Sequence, residues 1–142
     1  MRVEKFEGQA DELTGALDVL VPQLSKSNPP PTRDEVEAML ASDAITQFVA
    51  RDDGGAIIGV STLAVFPIPT ARRAWIEDVI VDESARGQGV GEALTHAMID
   101  RARELGCATV DLTSRPSREA ANRLYQRVGF TLRETNVYRY DL

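Results

Sequence analysis

The stretch that decides the fold is "VDESARGQGVGEAL", Val81 to Leu94. Glycines at 87, 89 and 91 alternate behind Arg86, and apolar residues at helical spacing follow at once. Alternate glycines open backbone conformations closed to other residues and let a ligand approach the main chain closely. The preceding "RAWIEDVIV" reads as a buried strand. The residues after the loop read as a helix with Val90, Leu94, Ala97, Met98, Ala102 and Leu105 on one stripe, closed by Gly106. Where a strand feeds a glycine loop and then a helix, unpaired amides and the positive end of the helix dipole converge on one point. The expected guest is a phosphate or pyrophosphate, and Arg86 adds a full positive charge beside it.

Other uses of such a loop exist. A β-to-α turn with no ligand employs the same glycines to relieve a tight bend. A dinucleotide fingerprint would look for an acid near a strand end about twenty residues on, where Asp111 lies. The spacing here, however, is G-x-G-x-G rather than G-x-G-x-x-G, and the loop follows antiparallel strands in mid-chain. A P-loop would need a Gly-Lys-Ser/Thr that does not follow.

The rest of the chain bounds these choices. Its 142 residues fit one domain, 1–142, with a single core, and 43% hydrophobic with 27% charged residues is ordinary for a soluble globular protein. Sixteen Lys and Arg against twenty-two Asp and Glu give a net charge of -6, the wrong sign for gripping nucleic acid through its phosphates. No apolar run approaches the roughly 18 residues of a membrane span, and "MRVEKFEGQADEL" has no signal-peptide apolar region. Neither a nucleic acid nor a membrane partner is expected, and the expected location is the cytoplasm. Cys107 is the only cysteine and His96 the only histidine, so no intrachain disulfide forms and ligands for a clustered His/Cys metal site are too few. No metal is expected.

Along the chain, Leu13, Leu17, Leu20, Val21 and Leu24 share one helix face. "SKSNPPPTRDE" interrupts as a loop, and Thr32 or Asp34 caps a second short helix carrying Val36, Met39 and Leu40. "TQFVAR", "AIIGVSTLAVF" and "RAWIEDVIV" are strand-like runs with a hairpin signal, "DDGG", between the first two. After the glycine-loop helix come a short strand "ATVDLTS", a helix "REAANRLYQRV" ended by Gly129, and "FTLRETNVYRYDL" as a closing strand or pair of strands. The order βααβββαβαβ describes an α+β domain, a mixed central sheet flanked by helices, whose strand–loop–helix–strand unit is a parallel crossover.

At this point the sequence resembles a family. "RGQGVG" is similar to the Q/R-x-x-G-x-G/A pyrophosphate loop of the GNAT superfamily of acetyl-CoA-dependent N-acetyltransferases, and "AANRLYQRVGF", Ala120 to Phe130, resembles that family's second motif, A-x-x-L-Y-x-x-x-G-F. The motifs stand in the family's order with one strand between them, and the close match covers Ala74 to Phe130. The resemblance implies the GNAT acyl-CoA N-acyltransferase fold and acetyl-CoA as co-substrate. It implies that "IEDVIV" is splayed from "TVDLTS", freeing backbone groups at Val79 and Val81 for the pantetheine arm, with the Val79 N–H placed to polarise the thioester carbonyl. Arg86, Gly87, Gln88, Gly89, Val90, Gly91 and Glu92 would cover the pyrophosphate. Tyr125 matches the tyrosine that protonates the departing thiolate, and a phenol suits that work, although Leu124 and Val128 on its helix also allow a core aromatic. Arg118 stands where many members carry asparagine, so either Arg118 pairs with a phosphate or Asn122, one turn on, supplies the amide contact.

An amine must be neutral to attack, so a base or a water chain belongs on the acceptor side. Glu77, on the strand parity of Val79, is the first candidate and Asp78 the alternative; an acidic pair on a strand is also commonly solvent-facing. Thr113 and Ser114 are candidate lining residues. Cys107 and His96 are expected to be bystanders, since transfer in the family is direct. The acceptor is a small-molecule or peptide amine that the sequence does not rank. Arg72 and Arg73 offer charges to a substrate phosphate or carboxylate, while the acidic balance favours a cationic acceptor. Short elements, and a second subunit of a homodimer, are the means by which the site would be completed. The competing classes are a non-catalytic acyl-CoA-binding or regulatory module and a nucleotide-binding oxidoreductase. Retention of Tyr125 and of a strand carboxylate favours catalysis, because neither is needed to hold pyrophosphate.

Overall fold

A computed structural model describes residues 1–142. Five strands, β1 (Arg2–Lys5), β2 (Ile45–Arg51), β3 (Ile57–Ile68), β4 (Ala71–Val81) and β5 (Thr109–Asp111), form one sheet in sequence order. The first three pairings, the last of them the β3–β4 hairpin, are antiparallel, and β4 with β5 is parallel, joined by the crossover helix α3 (Val90–Glu104). Helices α1 (Ala10–Leu24) and α2 (Arg33–Leu40) fill the connection from β1 to β2, and α4 (Glu119–Val128) follows β5.

The apolar spacing of each helix decides which face of the sheet it covers. Leu13, Leu17 and Leu20 of α1 and Val36 of α2 are buried with Val49, Val60 and Ile80 on one face. Val90, Leu94, Met98 and Ala102 of α3 are buried with Phe48, Leu63, Val65, Ala74 and Ile76 on the other. Of the two candidate caps for α2, Thr32 is the one used: its hydroxyl accepts from Glu35 N while the Glu35 side chain accepts from Thr32 N, a capping box. On the same side Arg51 of β2 is clamped between Glu4 of β1 (2.7 Å) and Glu12 of α1 (2.6 Å), which holds both carboxyls below the usual range. Gly106 and Gly129 end α3 and α4 in left-handed conformations, φ 73° and 118°.

The α+β order is as the sequence leads one to expect through α4. The closing strand is not: Phe130–Leu142 join no sheet, and the last backbone hydrogen bond is Phe130 N to Tyr125 O at 2.9 Å. The reason lies in the neighbouring edge. β5 is only three residues long, so it offers little ladder, and Leu132, Val137, Tyr138, Tyr140 and Leu142 stand exposed.

Candidate active site

The strand leading to the glycine loop is paired along its whole length on the β3 edge but at one end only on the β5 edge. β4 pairs with β5 through Arg73, Ala74 and Trp75, opposite Thr109, Val110 and Asp111; from Ile76 to Val81 that edge of β4 has no partner strand. Parting strands leave main-chain donors and acceptors facing a cleft, an arrangement that an extended ligand completes.

At the end of β4 the chain is stapled before it turns. Asp82 Oδ1 accepts from Ser84 N (2.9 Å) and Ser84 Oγ (2.6 Å), closing a single 3-10 turn over Glu83–Ala85. Gln23 of α1 donates to Asp82 Oδ2 at 3.2 Å and accepts from Glu83 N at 2.9 Å. The Ser84 bonds, with help from Gln23, hold the Asp82 carboxyl below its ordinary range. The loop proper follows, with Gly87 and Gly89 at φ 75° and 81°. A Cβ at either would meet no atom within 4 Å, so glycine is required by the backbone angle and the space above stays open. At Gly91 neither constraint holds: a Cβ there would lie at the ordinary contact distances of 3.4 Å from Leu124 of α4 and 3.7 Å from Val81.

Gly89 is the N-cap of α3 and brings no side chain to its first amides. An uncapped helix N-terminus beneath an open glycine loop fits a phosphate group. The seven loop residues divide by atom. Val90 is buried, so only its backbone faces the loop, and Gln88 Nε2 bonds Ser84 O at 3.1 Å. Glu92 turns its carboxylate to Arg127 of α4 (2.7 Å), which lowers its pKa and pins α4 to the first turn of α3. Arg86 Nε approaches Val81 O at 3.3 Å, at the mouth of the cleft.

Helix α4 brings Tyr125 to the same region. Its ring meets Phe130 edge-on, centroids 5.8 Å apart, and burial pushes the phenol pKa up while Arg118 pulls the other way. A raised pKa keeps the hydroxyl protonated and able to donate. Asn122 Nδ2 is committed to Arg115 O and Arg118 O, both at 2.9 Å, so it holds the turn before α4; Arg118 caps that helix without a side-chain bond. Beyond β5, Thr113 is exposed and the Ser114 hydroxyl is enclosed with no protein partner. That orphaned donor fits a polar ligand in the cleft.

The two acids part company with one expectation. Ser61 of β3 faces two residues of β4, Asp78 and Val79, because the register passes from Thr62 opposite Glu77 to Val60 opposite Ile80. Asp78, at φ 48°, makes the bulge. Before it Ala74 and Ile76 pack with α3; after it Val79 and Val81 do, while Ile80 joins the α1 side. Glu77 therefore does not share the face of Val79. It lies on the opposite face with Trp75, whose indole N–H donates to Glu77 Oε1 at 2.8 Å. An inserted residue flips every side chain beyond it, and no period-2 reading of "WIEDVIV" reveals that. Thr62 and Gln47, which stand in line with Glu77 across the sheet, escaped the sequence reading for the same reason: nothing in their local pattern marks them.

Cys107 is half-buried and free, and His96 is an exposed neighbour of Glu92 at 3.9 Å. No helix is long and apolar enough to cross a membrane.

Residues 13–130 match the Acetyltransferase (GNAT) family. A mycothiol acetyltransferase of Propionibacterium freudenreichii subsp. shermanii is 35% identical over 89 residues, which is 63% of this chain and 28% of that protein. The glucosamine 6-phosphate N-acetyltransferase of Trypanosoma brucei brucei is 36% identical over 101 residues, covering 69% of this chain and 66% of that protein. The chain thus spans about a quarter of the first relative and just under two thirds of the second. Among solved structures, a putative acetyltransferase from Agrobacterium tumefaciens superposes with a TM-score of 0.86 at 26% identity, covering 99% of this chain and 100% of that one. An acetyltransferase of Trypanosoma brucei gives 0.80 at 28% identity, with 99% of each chain covered.

Proposed function

The chain belongs to the Acetyltransferase (GNAT) family, and from that premise we propose that it is an N-acetyltransferase, moving the acetyl group of acetyl-CoA directly to a primary amine of a small molecule or peptide. The observation that carries this is the β5-side edge of β4 left unpaired from Ile76 to Val81, ending in an open glycine loop over the uncapped start of α3.

When bound, acetyl-CoA supplies a thioester carbonyl carbon as the electrophile. The loop amides from Gly87 to Glu92, the dipole of α3 and Arg86 hold its pyrophosphate. The free edge of β4 at Val79 and Val81 holds the pantetheine arm, and the Val79 N–H polarises the carbonyl. Tyr125 delivers a proton to the departing thiolate. Glu77, on the far face of β4, takes the proton of the amine directly or through water; Asp78 at the bulge is the alternative base. Arg118, free where Asn122 is committed, is the second contact to the cofactor's phosphates. The amino-sugar relatives support an acceptor with a ring, and the family as a whole supports a peptide or small amine. We further propose one domain over 1–142, a cytoplasmic location, no metal, and no nucleic-acid or membrane partner.

The test is thiol release from acetyl-CoA against amino sugars, polyamines, aminoglycosides, amino acids and peptides. Turnover with one class is expected, together with losses of about a hundred-fold in Glu77→Gln and Tyr125→Phe. Tight acetyl-CoA binding with no turnover on any of them would favour a binding module instead.

A further inference from the structure

We propose that the face of the β3–β4 hairpin left uncovered by α1 and α2 is the acceptor site, and that it selects a primary amine carrying an anionic group. The nitrogen lies between Glu77 and Thr62, the body of the molecule lies on Trp75, and the anion meets Arg73. The amine end of this assignment rests on the acetyl-transfer function proposed above; the anion end rests on the strand itself.

The bulge at Asp78 sorts the side chains. α1 and α2 cover Val49, Val60 and Ile80. Continuing along the same face, β3 carries Thr62, Ala64 and Phe66, opposite Glu77, Trp75 and Arg73 of β4 in register. This row is open: Glu77 and Arg73 are exposed, Phe66 is 37% exposed, and Trp75 is half-buried. Glu77 is its residue next to the bulge, so it is also the one nearest Val79 along the strand.

Hydrogen bonding fixes the polarity of the Glu77 end. Gln47, 4% exposed, donates its amide to Ser61 O (2.9 Å) and Phe48 O (3.3 Å), which sets its Oε1 toward Thr62. The Thr62 hydroxyl spends its proton on that oxygen at 2.8 Å. Only lone pairs of Thr62 Oγ1 are then left for a ligand. Beside it, the indole of Trp75 occupies Glu77 Oε1 and leaves Oε2. Two acceptors with no donor between them suit an ammonium group or an amine N–H, and they reject a carbonyl or a phosphate.

The bond to Glu77 also fixes the indole, which offers a flat apolar surface to a ring. Arg73 is two residues further on the same face, and alternate residues of a strand are spaced about 7 Å apart. None of the protein's ion pairs includes it. On a chain of net charge -6, an unpaired guanidinium on an open substrate face is where an anion is drawn. A phosphate and a carboxylate both satisfy it.

Trp75 is the only tryptophan, so intrinsic fluorescence reads this site without any turnover. Matched amines with and without the anion serve as probes: glucosamine 6-phosphate with glucosamine, phosphoethanolamine with ethanolamine, and lysine with cadaverine. In at least one pair the anionic member should bind about ten-fold tighter, the value of one charge-assisted contact. Phosphate pairs winning alone would name phosphate, and the lysine pair alone would name carboxylate. Arg73→Gln should bring that pair within about two-fold, and Thr62→Val should weaken both members about ten-fold while Thr62→Ser restores them. Equal or tighter binding of the neutral member in every pair, or no fluorescence change with any probe, overturns the proposal. Thiol release from acetyl-CoA in the same preparation tells that failure apart from failure of the transferase function.

Discussion

At the scale of single residues, Asp78 does the most with the least. A non-glycine residue at φ 48° costs energy that its surroundings must offset, and here it buys the change of face that separates Glu77 from Val79. Asp78→Val should therefore lose about 1–2 kcal/mol in denaturant melts, since a β-branched side chain is least tolerant of that angle, while Asp78→Gly should hold or gain stability. If Asp78→Gly also keeps its rate within a few-fold, the base is Glu77; a hundred-fold loss would move that role to Asp78. Tyr125 gives a second residue-scale prediction. Its phenol is raised in the folded state by burial. Stability from that source is fully present below the ordinary phenol value and is lost as the pH rises through the folded value. Thermal melts from neutral to strongly alkaline pH should show that loss, and Tyr125→Phe should flatten it. An unchanged alkaline slope in Tyr125→Phe would show that the phenol is not buried.

At the scale of elements, the loop from Val81 to α3 separates angle from space. Gly87 and Gly89 are fixed by positive φ, whereas a Cβ at Gly91 would make only ordinary contact with Leu124. Gly89→Ala should cost about 1 kcal/mol in stability and weaken acetyl-CoA at the same time, because the added Cβ strains the residue that aims the first amides of α3. Calorimetry on this variant with unchanged acetyl-CoA affinity would contradict the loop's assigned work. The glycine loop, a cap for α2 at Thr32 or Asp34, and the stripes of α1 and α3 were legible because each is a local pattern in the sequence. The bulge was not, since "WIEDVIV" alternates as an ordinary strand does and the extra residue shows only when Ser61 is seen opposite two partners. Gln47 and Thr62 stayed hidden likewise: their meaning is a register between two strands fifteen residues apart.

At the scale of the whole molecule, two apolar layers enclose one sheet, and the sheet stops early. β2 to β4 were readable as β-rich runs, the first two set apart by a hairpin signal, but the expected closing strand needs an edge to pair with, and three residues of β5 supply little. Leu132, Val137, Tyr138, Tyr140 and Leu142 are left between 71% and 118% exposed. We propose that this segment is where a second copy adds, giving a homodimer, because its exposed apolar side chains find no cover within the chain. Light scattering should find a dimer that Tyr138→Lys with Tyr140→Lys turns to monomer; a wild-type monomer at tens of micromolar, about the level at which a standard interface holds, would contradict it. The function rests on what occupies the cleft between β4, the glycine loop and α4. Calorimetric titration with acetyl-CoA, run beside NAD, tests this most directly. Saturable binding of acetyl-CoA at one site per chain, with none of NAD, is the expected result, whereas binding of NAD in its place, or of neither, would overturn the assignment of this cleft to acetyl-CoA.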